Sequence, residues 1–233
     1  MTSPVEIKVM ATAAFKEAYV ELVPQFERAS GHKVITTWTN TVDIVSRIKA
    51  GEVTDLAVMS GKAIDELIAA GRFASGSRVY VASSWVAMAV RKGAPKPDIS
   101  SSDSFKRAML AAKSIAYSTG PSGVYLVGLF QRMGIAEQLA AKAKVIKGEP
   151  VGACVARGEI EIGFQQMSEL MPVPGIDIVG GLPKDIEEIT FFATGMHVHT
   201  QVADAADALT NFFITPAAHA LIRAKGMEPV TSG

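Results

Sequence analysis

Three times along this chain, an apolar strand-like run leads into a short neutral polar turn and then into a helical pattern. The three junctions span residues 9–15, 38–42 and 117–124. A strand that feeds directly into a helix leaves backbone N–H groups and the positive end of the helix dipole at the edge of the sheet. Several such junctions around one cleft can hold an anion without any arginine. The sequence therefore predicts the recognition of a small anion.

The composition excludes several classes of partner. The chain has 233 residues, 48% of them hydrophobic, with 23 acidic and 23 basic side chains. This is enough for one large core or for two lobes. The net charge of zero, without a Lys/Arg block, argues against nucleic acid as a partner. The single cysteine excludes a disulfide framework, and no apolar run is long enough to insert into a membrane.

The first residues contain no recognisable targeting signal. Residues 1–4 lead straight into a strand-like run at 5–10. A secretory signal peptide would begin with a positive segment, followed by an apolar segment and a cleavage site. The expectation from these residues is a cytoplasmic protein, or one from which a leader has been removed.

The first third of the chain alternates regularly between strand and helix patterns. Strands are predicted at 5–11, 34–38 and 56–59, and helices at 42–50 and 63–70. Between the first two strands, large apolar residues recur at helical spacing from Phe15 to Phe26. Pro24 lies inside this helix, so we expect a kink or an early end there. This alternation predicts a parallel sheet with helices on both faces.

Two long strand-like stretches, at 78–91 and 189–200, are interpreted as crossings between two lobes. Lobe one then holds residues 1–82 and 200–233, and lobe two holds residues 83–199. The intervening pattern predicts helices at 104–112, 122–133 and 151–157 and strands at 114–117, 144–147 and 160–164, and two helices at 203–213 and 216–225 end the chain. The predicted fold is a two-lobe α/β architecture. Its ligand is expected between the lobes, beyond the carboxyl ends of the strands, with closure by a hinge motion.

Four segments, at 11–15, 46–51, 54–60 and 121–125, resemble the molybdate-binding proteins in order and spacing. These are periplasmic solute receptors of ABC transporters and have the type II periplasmic-binding-protein fold. The resemblance runs from Val5 to about Val230. It implies a periplasmic location, a small anionic ligand and an ABC transporter permease as partner, and it implies no cofactor.

The resemblance also indicates ligand-binding positions. The serine at the family's first helix corresponds to Ala14, and the family's tyrosine donor corresponds to Gln166, so both positions depart from the pattern. Large neutral side chains nearby, such as Trp38, suit a larger ligand with carboxylates better than a compact metal oxyanion. The full set of predicted ligand-binding residues is Thr12, Ala14, Asn40, Thr41, Ser122, Gly123, Val151 and Gln166.

Other functions remain open on the sequence. Relatives in the same fold isomerise small tricarboxylates such as aconitate, so a cytosolic isomerase of a small di- or tricarboxylic acid is the main alternative. The missing leader favours it, but the matched segments offer no carboxylate or histidine as a base. A cytoplasmic sensor that signals ligand-driven closure to a partner is a third alternative.

Two further features favour structural roles. His197 and His199 are two apart on a predicted strand and share one face, but no third metal ligand is visible at a recognisable spacing. Cys154 lies in an apolar helical stretch and is interpreted as a small core side chain. No dinucleotide-binding, P-loop or serine-hydrolase motif is present.

Overall fold

The computed structural model describes residues 3–230 of the chain. Its strands are β1 (Glu6–Ala11), β2 (Lys33–Trp38), β3 (Leu56–Ser60), β4 (Val79–Arg91), β5 (Ile115–Ser118), β6 (Ala143–Ile146), β7 (Ile162–Gln166), β8 (Ile176–Gly181), β9 (Ile189–Met196) and β10 (Glu228–Pro229). Its α-helices are α1 (Lys16–Ser30), α2 (Thr41–Lys49), α3 (Gly61–Ala69), α4 (Ser102–Ala111), α5 (Pro121–Arg132), α6 (Ala136–Leu139), α7 (Val151–Ala156), α8 (Met167–Leu170), α9 (Ala203–Phe213) and α10 (Pro216–Ala224). No helix within the described range is long and apolar enough to cross a membrane.

The chain forms two compact units. Unit 1 comprises the residues up to Ser83 together with those from Phe191 onward, and unit 2 comprises Ser84–Thr190. The chain passes from unit 1 to unit 2 within β4 and returns within β9. These are the two long strands that the sequence analysis interpreted as crossings.

Unit 1 is built on a sheet in which β1 pairs with β2 and β3 in parallel. Alternate side chains of its strands enter different cores. Val9 and Val58 pack with α1, α9 and α10, whereas Met10 and Met59 pack with α2 and α3. The predicted arrangement of helices on both faces is therefore confirmed for this unit.

Unit 2 repeats this arrangement with different strands. β5 pairs in parallel with β6 on one side and with β7 on the other. Phe164 of β7 packs with residues of α4 and α5, while Ala116 of β5 packs with α7 on the opposite face. Because β5 and β7 are parallel neighbours, their carboxyl ends lie at the same edge of the unit.

The parallel pairing predicted for the first three strands is confirmed, but the sheets as a whole are mixed. β9 is antiparallel to β3 in unit 1, and β4 is antiparallel to β7 and β8 in unit 2. β4 and β9 are the strands within which the chain passes between the units, and each supplies an antiparallel member of a sheet. The periodicity of a strand does not report its direction, so the pattern could not distinguish the two cases.

Of the two outcomes expected at Pro24, a kink or an early end of the helix, the early end is wrong. α1 continues to Ser30 and ends at Gly31, which has a left-handed φ of 77°. Pro24 has no N–H and cannot donate to the Val20 carbonyl. Both residues lie on the exposed face of α1. Water can therefore satisfy that carbonyl, while Leu22 and Phe26 continue the buried face.

Two features of the secondary structure differ from the sequence prediction. β9 ends at Met196, so His197 and His199 follow the strand and do not share a strand face. A short helix, α8, and a further strand, β8, lie between 167 and 181, where the sequence analysis predicted no element.

Replacing Pro24 with alanine tests the account of α1. Pro24→Ala restores an N–H donor to a helix that already passes through this position, so we expect the free energy of unfolding to rise by about 1–3 kcal/mol. Val20→Ala, on the same exposed face, is the control and should change stability by less than about 0.5 kcal/mol. Denaturant unfolding measures both. A destabilised Pro24→Ala variant would contradict this account.

Candidate functional site

The turn between β5 and α5 presents Ser122 in the first turn of a twelve-residue helix. Ser122 is buried, at 1% exposure, and its hydroxyl lies 3.5 Å from that of Ser118. The N–H groups of the first helical turn have no acceptor within the helix itself. Ser122 can therefore offer a hydroxyl and a backbone N–H from the same edge.

Gly123 makes this turn possible. A Cβ atom at this position would lie 1.7 Å from the carbonyl oxygen of Ser118 and 3.3 Å from the ring of Tyr117. Only glycine allows α5 to pack this closely against the end of β5. Gly123 therefore sets the position of the Ser122 donors without offering a side chain of its own.

Gln166 ends β7 at the same edge of unit 2. Its side chain is fully buried, and its Nε2 donates to the Thr190 hydroxyl at 2.9 Å. Its Oε1 has no hydrogen-bond partner among the described residues. A hydroxyl both donates and accepts, so a half-turn of the amide would keep the Thr190 contact and direct Nε2 toward the unpartnered side. Gln166 thus retains spare hydrogen-bonding capacity for a ligand.

Val151 already donates its N–H within the protein. That group hydrogen-bonds to Gln165 Oε1 at 2.9 Å, and Gln165 Nε2 in turn donates to Glu169 Oε1 at 2.8 Å. A ligand can accept the Val151 N–H only if the Gln165 side chain moves. The structure thus shows that Gln165 occupies the predicted Val151 donor.

Glu169 on α8 carries the most perturbed carboxyl of this region. Burial raises the pKa of Glu169 to about 7, against the opposing effect of hydrogen bonds from the Gln165 side chain and the Gln166 backbone. The carboxyl therefore exchanges its proton near neutral pH. The sequence analysis missed it, because a single glutamate in a four-residue helix gives no periodic signal of burial.

In unit 1, Thr12 and Ala14 follow β1 in a short 3-10 turn at Ala13–Phe15. The Thr12 N–H donates to the Val58 carbonyl at 3.0 Å, and its hydroxyl lies 3.5 Å from the same oxygen. Ala14 is buried and has no hydroxyl to offer. This turn therefore offers fewer free donors than the serine expected from the family would supply.

Asn40 and Thr41 begin α2, at the neighbouring end of β2. Asn40 caps the helix through its Oδ1, which accepts from the Asp43 N–H at 2.9 Å, while its Nδ2 donates to the Asp43 carboxylate at 2.7 Å. Asp43 therefore occupies the amide that was predicted to bind a ligand. The Thr41 hydroxyl oxygen is buried and has no partner within the described part of the chain.

Trp38 and Lys16 form the other notable feature of this edge. The Trp38 ring packs edge-on against Tyr19, with ring centroids 5.1 Å apart. The Lys16 ammonium lies 5.6 Å from the centroid of the Trp38 ring, a cation–π geometry. The sequence analysis placed Trp38 near the ligand but did not predict its contact with Lys16, because an exposed lysine carries no signal in a single sequence.

Within each unit the predicted residues thus gather at the carboxyl ends of neighbouring strands. Ser122 and Gly123 follow β5 and Gln166 ends β7, and these two strands are parallel neighbours. Thr12 follows β1 and Asn40 follows β2, where Thr39 N–H donates to the Ala11 carbonyl. α5 begins at Pro121, which has no N–H, so its first-turn donors are the N–H groups of Ser122 and Gly123. We call these two N–H groups, with the side chains of Ser122 and Gln166, the unit 2 donor set.

His197, His199 and Cys154, for which structural roles were predicted, are not members of the unit 2 donor set. His197 is buried, its Nδ1 accepts from the His199 N–H at 3.1 Å, and burial lowers its pKa. No group of three potential His, Cys, Asp or Glu metal ligands occurs among residues 3–230. Cys154 lies on α7 and is buried among apolar side chains, and burial raises the pKa of its thiol. A raised pKa disfavours the thiolate that a nucleophile requires.

The contact at Gly123 predicts the effect of adding one methyl group. Gly123→Ala forces α5 away from β5, so we expect unfolding to become easier by about 3 kcal/mol or more. Gly128→Ala is a matched control in the same helix. There the new methyl meets only the flexible end of Arg132, so stability should hold or rise by up to about 1 kcal/mol. Equal effects of the two changes in thermal unfolding would refute the contact.

The raised pKa of Glu169 predicts how stability depends on pH. The folded state holds this proton more tightly, so the associated stability is complete below the ordinary value of about 4.5 and is lost as the pH rises to about 7. Relative to the wild type, Glu169→Gln should therefore stabilise the fold by about 2 kcal/mol more at pH 8 than at pH 5. Denaturant unfolding at the two pH values measures this difference. Glu137→Gln, at an exposed position of α6, should show none.

Comparison with known proteins places these features in a family. The sequence model of the bacterial extracellular solute-binding protein family matches residues 7–228 of this chain. The chain is 42% identical over 230 residues to an aconitate isomerase of Pseudomonas sp., covering 96% of this chain and 88% of that protein. It is 26% identical over 234 residues to the molybdate-binding protein ModA of Azotobacter vinelandii, covering 95% of this chain and 89% of that protein.

A solved structure supports the same assignment at the level of the fold. The periplasmic molybdate-binding protein of Azotobacter vinelandii aligns with a TM-score of 0.79 at 20% identity, covering 97% of this chain and all of that one. The predicted resemblance to the type II periplasmic-binding-protein fold is confirmed, with mixed sheets flanked by helices. The chain belongs to the bacterial extracellular solute-binding protein family.

Proposed function

We propose that this chain binds a small organic polycarboxylate of the aconitate class, chiefly through neutral hydrogen-bond donors of unit 2. The observation that carries this proposal is the unit 2 donor set, in which a buried hydroxyl and a buried amide with spare capacity lie at neighbouring strand ends. Buried polar groups are normally satisfied, so the unpartnered side of the buried Gln166 amide indicates a missing partner, and a turned amide would direct its Nε2 donor to that side.

Neutral donors suit an anion because hydrogen bonds to a charged acceptor are shorter and about twice as strong as those between neutral groups. The Ser122 hydroxyl, the first-turn N–H groups of α5 and a turned Gln166 amide can each donate to a carboxylate oxygen. The positive end of the α5 dipole adds to their attraction. No arginine is required for such a contact.

A carboxylate is favoured over a compact metal oxyanion by the residues that depart from the molybdate pattern. Ala14 supplies no hydroxyl, and Gln166 supplies an amide in place of a phenol. In unit 1, Trp38 offers a flat apolar surface and Lys16 a single cation. An organic acid combines a carbon skeleton with several carboxylates, and these groups match both kinds of contact.

The family supports a role outside the cytoplasm. We include in the proposal that the chain acts as a periplasmic solute-binding protein, that it closes around its ligand by a hinge motion, and that an ABC transporter permease is its partner. The family's description as extracellular supports the location. The partner and the closure rest on the resemblance alone.

A second candidate is an isomerase of the same acid. The relative that is 42% identical over almost the whole chain is named aconitate isomerase, and this favours the candidate. Moving the double bond of such an acid requires one proton to leave one carbon and one to join another, with no net oxidation.

A titration of the purified protein tests the binding proposal. We expect calorimetry to detect binding of cis- or trans-aconitate and to give weaker or no binding of molybdate and sulfate. Ser122→Ala removes a buried donor to a charged acceptor, which should weaken binding by about 1–3 kcal/mol. Ser75→Ala, at an exposed position of unit 1, is the control and should leave the affinity unchanged.

The outcomes separate the candidates. Tight binding of molybdate without binding of carboxylates would replace the proposed ligand by a metal oxyanion. Chromatography of each aconitate isomer after incubation with the protein tests for turnover, and conversion of either isomer into the other would establish the isomerase. Binding without conversion would establish the binding protein alone. No binding of any of these anions would contradict the proposed function.

A further inference from the structure

Three residues at the end of β7 form a compact polar group, which we call the Glu169 cluster. Its members are Gln165, Gln166 and Glu169. The Glu169 carboxyl accepts from Gln165 Nε2 at 2.8 Å and also from the Gln166 backbone N–H. Gln166 belongs at the same time to the unit 2 donor set. One peptide therefore links the acidic side chain to the proposed anion contact.

The cluster contains an acid without a compensating cation. The elements that pack against α8 are α7, β7, β4 and β8. Their charged side chains are Arg157, next to the end of α7, Arg91 at the end of β4, and Asp177 on β8. Arg157 pairs with Glu149 and Glu159.

The other two charges lie at the opposite end of the strands. Val86 is the β4 partner of Gln166, and Arg91 lies five residues further on, about 17 Å along the strand. Asp177 pairs with Val90 near that same end, where its carboxylate accepts from the Gly93 N–H. The acidic Glu188 belongs to the segment whose carbonyl accepts from the Val86 N–H. Any charge that this glutamate places near the cluster is negative.

We propose that Glu169 is a positioning residue of the anion site and that the protein takes up a proton at Glu169 when the anion binds. This inference rests on the proposed function. An anion at Gln166 brings a second negative charge to a poorly hydrated region that already holds the Glu169 carboxyl. Protonation removes that repulsion, and the pKa of Glu169 is close enough to neutrality for the exchange to occur.

The hydrogen bonds of Gln165 also indicate that protonation of Glu169 strengthens anion binding. An ionised Glu169 only accepts, so it holds Gln165 Nε2 toward itself and Gln165 Oε1 toward the Val151 N–H. A protonated Glu169 can donate to Gln165 Oε1, which reverses the amide and turns Nε2 away from the acid. The Val151 N–H then loses its acceptor, and a carboxylate of the ligand can replace it. Because linkage is reciprocal, a proton that strengthens anion binding is itself bound more tightly when the anion is present.

Calorimetric titration with trans-aconitate in two buffers of different ionisation enthalpy measures the proton uptake. We expect the wild-type protein to take up a substantial fraction of a proton per anion at pH 7 and to bind about tenfold more tightly at pH 6 than at pH 8. Glu169→Gln cannot exchange this proton, so its binding should show neither that uptake nor that dependence on pH. Any proton exchange by the ligand itself is common to both proteins and cancels in the comparison.

Two further variants test whether the proton uptake depends on the carboxyl group at position 169. Glu169→Asp retains an ionisable group and should retain measurable uptake, and Glu137→Gln, on the exposed face of α6, should behave as the wild type. Circular dichroism and thermal unfolding verify that each variant is folded.

The possible failures are distinguishable. Anion binding with equal proton uptake in the wild type and in Glu169→Gln would overturn the inference and leave the proposed function standing. Failure of the folded wild-type protein to bind any of the tested anions at either pH would overturn the proposed function and the inference together.

Discussion

The close contact between Gly123 and the Ser118 carbonyl is the constraint on which the unit 2 donor set depends. Because no Cβ fits between them, α5 begins directly at the end of β5 and directs its first turn over the edge of the sheet. The parallel pairing of β5 with β7 then brings Gln166 to the same edge. A hydroxyl, free N–H groups and an amide are thereby collected without any charged side chain, which is a suitable environment for an anion that must also be released.

The two units use their strand ends differently. In unit 1, the Asp43 carboxylate already accepts hydrogen bonds from Thr39 and Asn40, so this helix start is satisfied by an acid of the chain itself. In unit 2, the acid bonded to Gln165 is Glu169, and its raised pKa of about 7 leaves it partly protonated at neutral pH. Among the described residues, the unit 2 donors are not bonded to a carboxylate of the chain in the way that Thr39 and Asn40 are, which is why the proposed anion contact is assigned to unit 2.

Much of this organisation follows from the sequence, because periodicity and glycines report local structure directly. The junction at Ser122, the ends of the helices predicted at 42–50 and 63–70 and the long strand β4 were all predicted to within about one residue, whereas β9 ends four residues before its predicted end. What escaped prediction depends on contacts that are distant in sequence. Nothing local to Asn40 reports that Asp43 occupies its amide, and nothing local to Glu169 reports that its surroundings raise its pKa. The direction of β9 and the passage of α1 through Pro24 likewise depend on packing and solvation.

A crystal structure of the protein with trans-aconitate would show which ligand atoms accept the proposed hydrogen bonds. We expect a carboxylate whose oxygens lie within about 3 Å of the Ser122 hydroxyl and of a Gln166 amide turned away from its unliganded orientation. A ligand bound without contact to either residue, with the Gln166 oxygen still unpartnered, would contradict this expectation.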